Sequence, residues 1–300
     1  MSESGRVLLI GHTVQPHSAA FHRAVALARA GDIPLHIGIL VEPLAITSMD
    51  KELRERVRDS LVNGQHQRWE GEVATLREKG VRATCSVSWT DDPLSEILRQ
   101  VEEIKPEILV KDIHHESALR RVFTTPLDWH LLRDCPVPLH LVNEAGHPRP
   151  KLVVAAVDPT EPEAQYSGLN DRIIGAASRL ALQCGSELKA LFVYDAISPY
   201  GPNFAEAGSN WIELVEELRK AQHQAFVDLA ERHGIPAEHR HFVMGHPILG
   251  IVEFADSENA DVVVMGRVHR KGLGKLLGST TESVLARLRG SVLAIQPQAR

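Results

Sequence analysis

The chain repeats its own punctuation. Gly31, Gly80, Pro93 and Glu107 return as Gly185, Gly234, Pro247 and Asp261, each 154 residues on, with no insertion between the matched positions. Glycine stops a helix by taking the left-handed turn that side chains resist, and proline opens one where the first N–H has no partner to lose. Agreement at such positions is agreement in element boundaries, so the sequence reads as one folding unit written twice. A length of 300 residues fits two domains, predicted at 1–145 and 149–300, because single domains cluster near 100 to 150 residues.

Apolar periodicity fills in the unit. Each half opens on a strand, 6–10 or 151–157, followed by an amphipathic helix whose buried stripe is clear at Ile173, Ala176, Ala177, Leu180 and Cys184. Second strands are expected at 36–41 and 188–193, and long charged helices at about 51–79 and about 209–233. Short strands follow at 81–87 and 238–243, then the proline-opened helices, then apolar fourth strands at 108–111 and 261–265. The halves close on helices near 126–134 and 280–289 and on strands at 139–142 and 292–295. Strand and helix alternate five times per half. The pattern predicts two tandem α/β domains, each a five-stranded parallel sheet of Rossmann-like type with helices on both faces.

Composition limits what such domains can do. A net charge of -6 and a pI near 6.2 oppose nucleic-acid binding, which needs clustered positive charge. No apolar run approaches the roughly 18 residues of a membrane span, and the N-terminus leads into a strand without a secretory pattern, so a cytoplasmic location is expected. Cys85, Cys135 and Cys184 lack a C-x-x-C spacing and suit reduced thiols.

The most suggestive stretch is "GRVHRKGLGKLLGST", residues 266–280, directly after the fourth strand of the second half. In open parallel sheets ligands collect beyond the carboxyl ends of strands, where helix N-termini offer backbone N–H groups. Gly266, Gly272, Gly274 and Gly278 would keep such a loop open, and Ser279 could add a hydroxyl. Arg267, Arg270, Lys271 and Lys275 supply local cations that would offset phosphate charge. A glycine-rich surface loop without a ligand has the same composition.

This stretch, the repeated unit and the tract "FTTPLDWHLLRDCPVPLHLV" (residues 123–142) together resemble the universal stress protein family, in particular its tandem two-domain E-type members. The family's nucleotide-binding domains place a glycine after the fourth strand, a second three residues on, and a third after nine more, followed by serine or threonine. Here Gly266 is followed by His269 in the second place, eight intervening residues, and Gly278-Ser279. The resemblance implies that Asp158 is the adenine-side acid, Val193 a main-chain adenine contact, Gly266 the ribose-side glycine, and Gly278, Ser279 and Thr280 the phosphate cradle for ATP or a related nucleotide. Read without it, Asp158 is equally a strand-end turn residue and Val193 a core residue. In the first half, Asp112 and Thr124 stand at the places of Gly266 and Gly278, and His115 matches His269, so nucleotide binding is expected to be lost there.

Other chemistry is weakly signalled. His114 with His115, and His239 with His241 on one expected strand face, are pairs without a visible third ligand, so no metal site is predicted. Asp128 and Glu282 lie one turn inside the final helices and read as helix-dipole partners. No nucleophile elbow, zinc helix or Walker loop occurs, so no enzyme is predicted. The resemblance implies a non-catalytic stress-response protein supporting survival under stress, DNA damage included. A nucleotide sensor with slow turnover and a carrier of a larger amphipathic metabolite are the alternatives. The resemblance further implies pseudo-twofold pairing of the two domains within the chain, with the last strands near the contact.

Overall fold

The computed structural model describes residues 5–43, 50–113, 126–143, 147–161, 168–195, 211–267 and 280–297. By contact the chain divides into two units, Met1–Pro150 with Ser291–Ala294, and Lys151–Gly290 with Ile295–Arg300.

The first unit runs β1 (Val7–Gly11), α1 (Ala19–Gly31), β2 (Leu35–Val41), α2 (Lys51–Glu78), β3 (Ala83–Trp89), α3 (Pro93–Ile104), β4 (Ile108–Asp112), α4 (Pro126–Asp134) and β5 (Leu139–Val142). These strands lie parallel in the order β3-β2-β1-β4-β5. Central strands covered on both faces read as continuous apolar runs, and Val7, Leu8 and Leu9 are fully buried. Side chains start the helices where expected. Ser18 Oγ accepts from Phe21 N–H, Asp50 from Leu53 N–H and Asp92 from Ser95 N–H, with Pro93 next.

The second unit runs β6 (Leu152–Ala156), α5 (Leu169–Cys184), β7 (Glu187–Tyr194), α6 (Trp211–Arg232), a single 3₁₀ turn (Ala237–His239), β8 (Arg240–Met244), α7 (Pro247–Glu258), β9 (Val262–Gly266) and α8 (Thr280–Leu285). Its strands are parallel in the order β9-β6-β7-β8. In both units the first strand lies between the second and the fourth, so the winding direction reverses there.

The last strand of the sequence is β10 (Ser291–Ile295), close to the predicted 292–295. It runs antiparallel to β5, with Val292 opposite Leu141 and Leu293 opposite His140, and Ser291–Ala294 therefore belong to the first unit. The first unit has the five parallel strands predicted, to which β10 adds an antiparallel one; in the second unit β9, β6, β7 and β8 are parallel. An open strand edge carries a row of unpaired N–H and C=O groups that an apolar strand of either direction can satisfy.

The repeat survives with two corrections. Lys105 and Asn259 both take left-handed backbone, φ 49° and 53°, at positions 154 apart. Gly185 does the same at the end of α5, but after α1 it is Asp32, φ 46°, and not Gly31 that turns. The offset also fails at the start: β1 and β6 begin at 7 and 152, 145 apart, so the second copy inserts nine residues before the end of α5. The final helix of the second unit ends at Leu285, short of the predicted 289. Cys85, Cys135 and Cys184 are free thiols. Among the described residues no helix is long and apolar enough to cross a membrane.

Candidate functional site

Three of the residues singled out by sequence come to the carboxyl ends of adjacent strands. Asp158 lies two residues past β6, Gly266 ends β9, which pairs with β6 through Ala156 and Met265, and Val193 is next to last in β7 on the other side. Thr280 opens α8 and is exposed. His269, Gly278 and Ser279 lie outside the described residues, as do Arg270, Lys271, Gly272, Gly274 and Lys275.

The side chains at this edge are largely committed. Asp158 Oδ1 accepts from Thr160 Oγ1 at 2.6 Å, Thr160 N–H at 2.9 Å and Glu161 N–H at 3.2 Å, a compact turn that uses the carboxylate locally. Its backbone is clamped by Asn170, which accepts from Asp158 N–H at 3.1 Å and donates Nδ2–H to Asp158 C=O at 2.8 Å. Val193 is buried, and its Cγ1 lies 2.6 Å from where a Cβ would stand on Gly250, so its side chain packs against α7. Gly266 does not occupy left-handed backbone. Its missing side chain makes room for Leu169 and Ile173 of α5, the nearest atom being 2.6 Å from a built Cβ. Arg267, expected to be a cation of an exposed loop, is buried; its N–H donates to Ile295 C=O at 2.8 Å and its Nη2 lies 3.3 Å from Gln296 Oε1.

Two polar residues hold this edge together without having been picked out in the sequence. Asn170 is buried in the first turn of α5, and Thr281, also buried, donates its hydroxyl to Gly266 C=O at 2.7 Å. Their signal was present but slight: a polar side chain inside an otherwise apolar stripe.

The first unit closes the equivalent edge with charge. Asp112, which stands where Gly266 stands in the repeat, is buried and accepts from Ala20 N–H at 2.8 Å in the first turn of α1. Lys111 Nζ donates to Asp112 C=O and to Asp128 Oδ1, both at 2.8 Å, with Lys111 and Asp128 buried. Asp128, in the first turn of α4 as the helix-dipole reading expects, is also half of a buried ion pair. A carboxylate on the helix N-terminus uses the N–H and the positive end of the dipole that a phosphate would need. In the second unit the residue before α5 is Gly168, which has no side chain to cap with.

His114, His115 and Thr124 lie outside the described residues. His239 closes the 3₁₀ turn while His241 is in β8, so the two do not share a strand face as expected; His239 Nε2 is 3.6 Å from Glu187 Oε1 and the His241 ring packs on Phe254 at 4.7 Å between centroids. Among the described residues no three potential metal-ligating side chains converge.

The comparisons agree with this architecture. The model of the universal stress protein family matches residues 7–143 and again 151–296. The chain is 28% identical to universal stress protein E of Escherichia coli K12 over 259 residues, covering 84% of this chain and 80% of that one. It is 29% identical to the Photorhabdus laumondii protein of the same name over 223 residues, 73% and 71% of the two chains. Among solved structures, the functionally unknown protein PA1789 of Pseudomonas aeruginosa PAO1 superimposes with a TM-score of 0.74 at 23% identity, covering 97% of this chain and 92% of that one. A universal stress protein of Archaeoglobus fulgidus gives a TM-score of 0.61 at 19% identity over 99% of both. With two copies of the family's unit matched end to end, this chain belongs to the universal stress protein family, in the tandem form typified by universal stress protein E.

Proposed function

We propose that the protein is a non-catalytic stress-response protein of the cytoplasm that supports survival under stress, DNA damage included. The stress role rests on family membership. The non-catalytic reading is supported by the commitment of the carboxylates at both strand edges: Asp158 holds a turn, Asp112 caps α1 and Asp128 neutralises Lys111. A general base needs a carboxylate or imidazole free to take a proton from a bound reactant. Deletion of the gene should lower survival after ultraviolet irradiation, and a chain carrying Asp158→Asn should restore it; failure of the wild-type chain itself to restore survival would end this reading.

A second reading is that the second repeat binds ATP or a related nucleotide and works as a sensor. One observation favours it: the contrast between Asp112 seated on the α1 N-terminus and Gly266 beside an α5 that Gly168 leaves without a side-chain cap. Ligand at 100 times its Kd adds roughly 2.7 kcal/mol to stability, so a melting curve at millimolar ATP tests it.

The fused halves would serve as each other's partner. Support comes from β10, the last strand of the sequence, whose residues Ser291–Ala294 complete the sheet of the first unit. A protease site placed within 144–146 should then yield two fragments that co-elute after cleavage, and separate elution would contradict the pairing.

A further inference from the structure

The amino ends of β1, β2 and β3, at the edge opposite the strand ends discussed above, surround a cavity of about 480 Å³ lined by Arg6, Pro34, Arg77, Arg82, Thr84 and the turn Gly80-Val81. Such a volume lies in the range of small-molecule pockets, about 300 to 1,000 Å³. Three arginines are among its lining residues and no acidic residue is. We propose that this cavity is an anion site of the first unit that takes a phosphoryl group through Arg6, Arg77 and Arg82. The inference stands apart from any nucleotide site of the second repeat.

The donors are there to be used. Arg77 donates Nε–H to Ala83 C=O at 2.9 Å, which orients its guanidinium, and its Nη1 is 4.0 Å from Glu70. Arg82 donates Nη2–H to Asp32 C=O and keeps a loose 3.7 Å contact with the Asp32 carboxylate, itself almost fully exposed. Arg6 is exposed and forms neither an ion pair nor a side-chain hydrogen bond among the described residues. Each guanidinium has five N–H donors in a fork suited to phosphate oxygens, so most remain unspent. The wall is rigid as well. Thr84 Oγ1 is 2.8 Å from His36 Nδ1, and the other ring nitrogen of His36 is 2.9 Å from Ser86 Oγ. Gly80 turns at φ 80° with nothing within 4 Å of a built Cβ, so the rim has space.

The test is a titration of the ¹⁵N-labelled full-length protein with pyrophosphate at physiological salt. Amide shifts confined to Gly80, Val81, Arg82 and Thr84 that saturate are the expected result. Arg6→Ala, an exposed change that leaves the fold intact, should weaken the apparent Kd about tenfold, the loss of roughly one charge-assisted pair, and Arg82→Lys should weaken it less. Shifts that stay linear in concentration, that scatter over the surface, or that persist unchanged in both variants would overturn the proposal. ATP shifts at Asp158 or Gly266 report on the other site, so either can fail alone.

Discussion

The Nη1 of Arg23 donates to Nε2 of His140 at 2.8 Å, and neither side chain is exposed. The other ring nitrogen, Nδ1, faces Val292 C=O at 3.1 Å. A carbonyl only accepts, so the proton sits on Nδ1 and the Nε2 lone pair receives the guanidinium N–H. Arg23 also donates to His147 C=O at 2.6 Å and Pro148 C=O at 3.0 Å. One arginine of α1 is thereby tied to β5 and to the 147–148 segment, and through His140 to β10.

Replacing His140 by Leu would strip a buried cation of an acceptor and leave Val292 C=O without its donor. Removing one hydrogen-bond partner of a buried polar group costs about 1 to 3 kcal/mol. Urea unfolding should show a loss in that range for His140→Leu and a smaller loss for His140→Gln, whose amide can both accept and donate.

Burial, then the nearby Arg23 charge, push the His140 imidazole down to about 3, against the opposing pull of the Val292 hydrogen bond. Below the ordinary imidazole value of about 6.5 the unfolded chain takes up a proton that the folded chain refuses, so stability is full above that pH. It should then fall as pH drops toward 3, by up to about 1.4 kcal/mol per pH unit. Subtracting the stability profile of His140→Gln from that of the wild type should isolate this slope between pH 6 and 4; parallel profiles would refute it.

Lys111 and Asp128 form a second buried pair. Lys111→Met alone removes the ammonium from the buried Asp128 carboxylate and should cost about 3 to 5 kcal/mol, whereas Lys111→Met with Asp128→Leu should recover much of the loss, since apolar replacement of a buried pair is often neutral. A double-mutant cycle in denaturant gives the coupling directly.

Two glycines of the second unit differ in what a methyl group would strike. At Gly266 it meets the end of the Leu169 side chain at 2.6 Å, which can rotate away; at Gly290 it meets Ala260 C=O at 2.6 Å and Asp261 C=O at 3.1 Å, which are backbone. Gly290→Ala should therefore lower the melting temperature clearly more than Gly266→Ala, whose overpacking costs about 1 to 3 kcal/mol.

Boundaries were legible in the sequence because they rest on local chemistry: Pro93 and Pro247 open α3 and α7, and Gly80, Gly185 and Gly234 turn left-handed after α2, α5 and α6. Asp32 carries no comparable signal, because aspartate tolerates left-handed backbone at modest cost while the neighbouring Gly31 is the residue type that favours it. The antiparallel course of β10 left no mark, since a short apolar strand carries no record of its partner's direction. The strand-edge residues were legible by position, whereas their local partners, Leu169 beside Gly266 and Thr160 beside Asp158, were not, because these are set by the path of the chain between strand and helix. Arg23, His140 and Lys111 could not be paired from sequence, as their partners lie 117 and 17 residues away.

The two copies differ at equivalent strand ends, one filled by the Asp112 carboxylate and one, at Gly266, without a polar side chain. Titrating ATP into the ¹⁵N-labelled full-length chain measures this at both ends at once. The account predicts saturable shifts at Val157, Asp158, Gly266 and the first turn of α5, with Gly11, Ala20 and Asp112 unmoved; saturable shifts at Ala20 and Asp112 instead would contradict it.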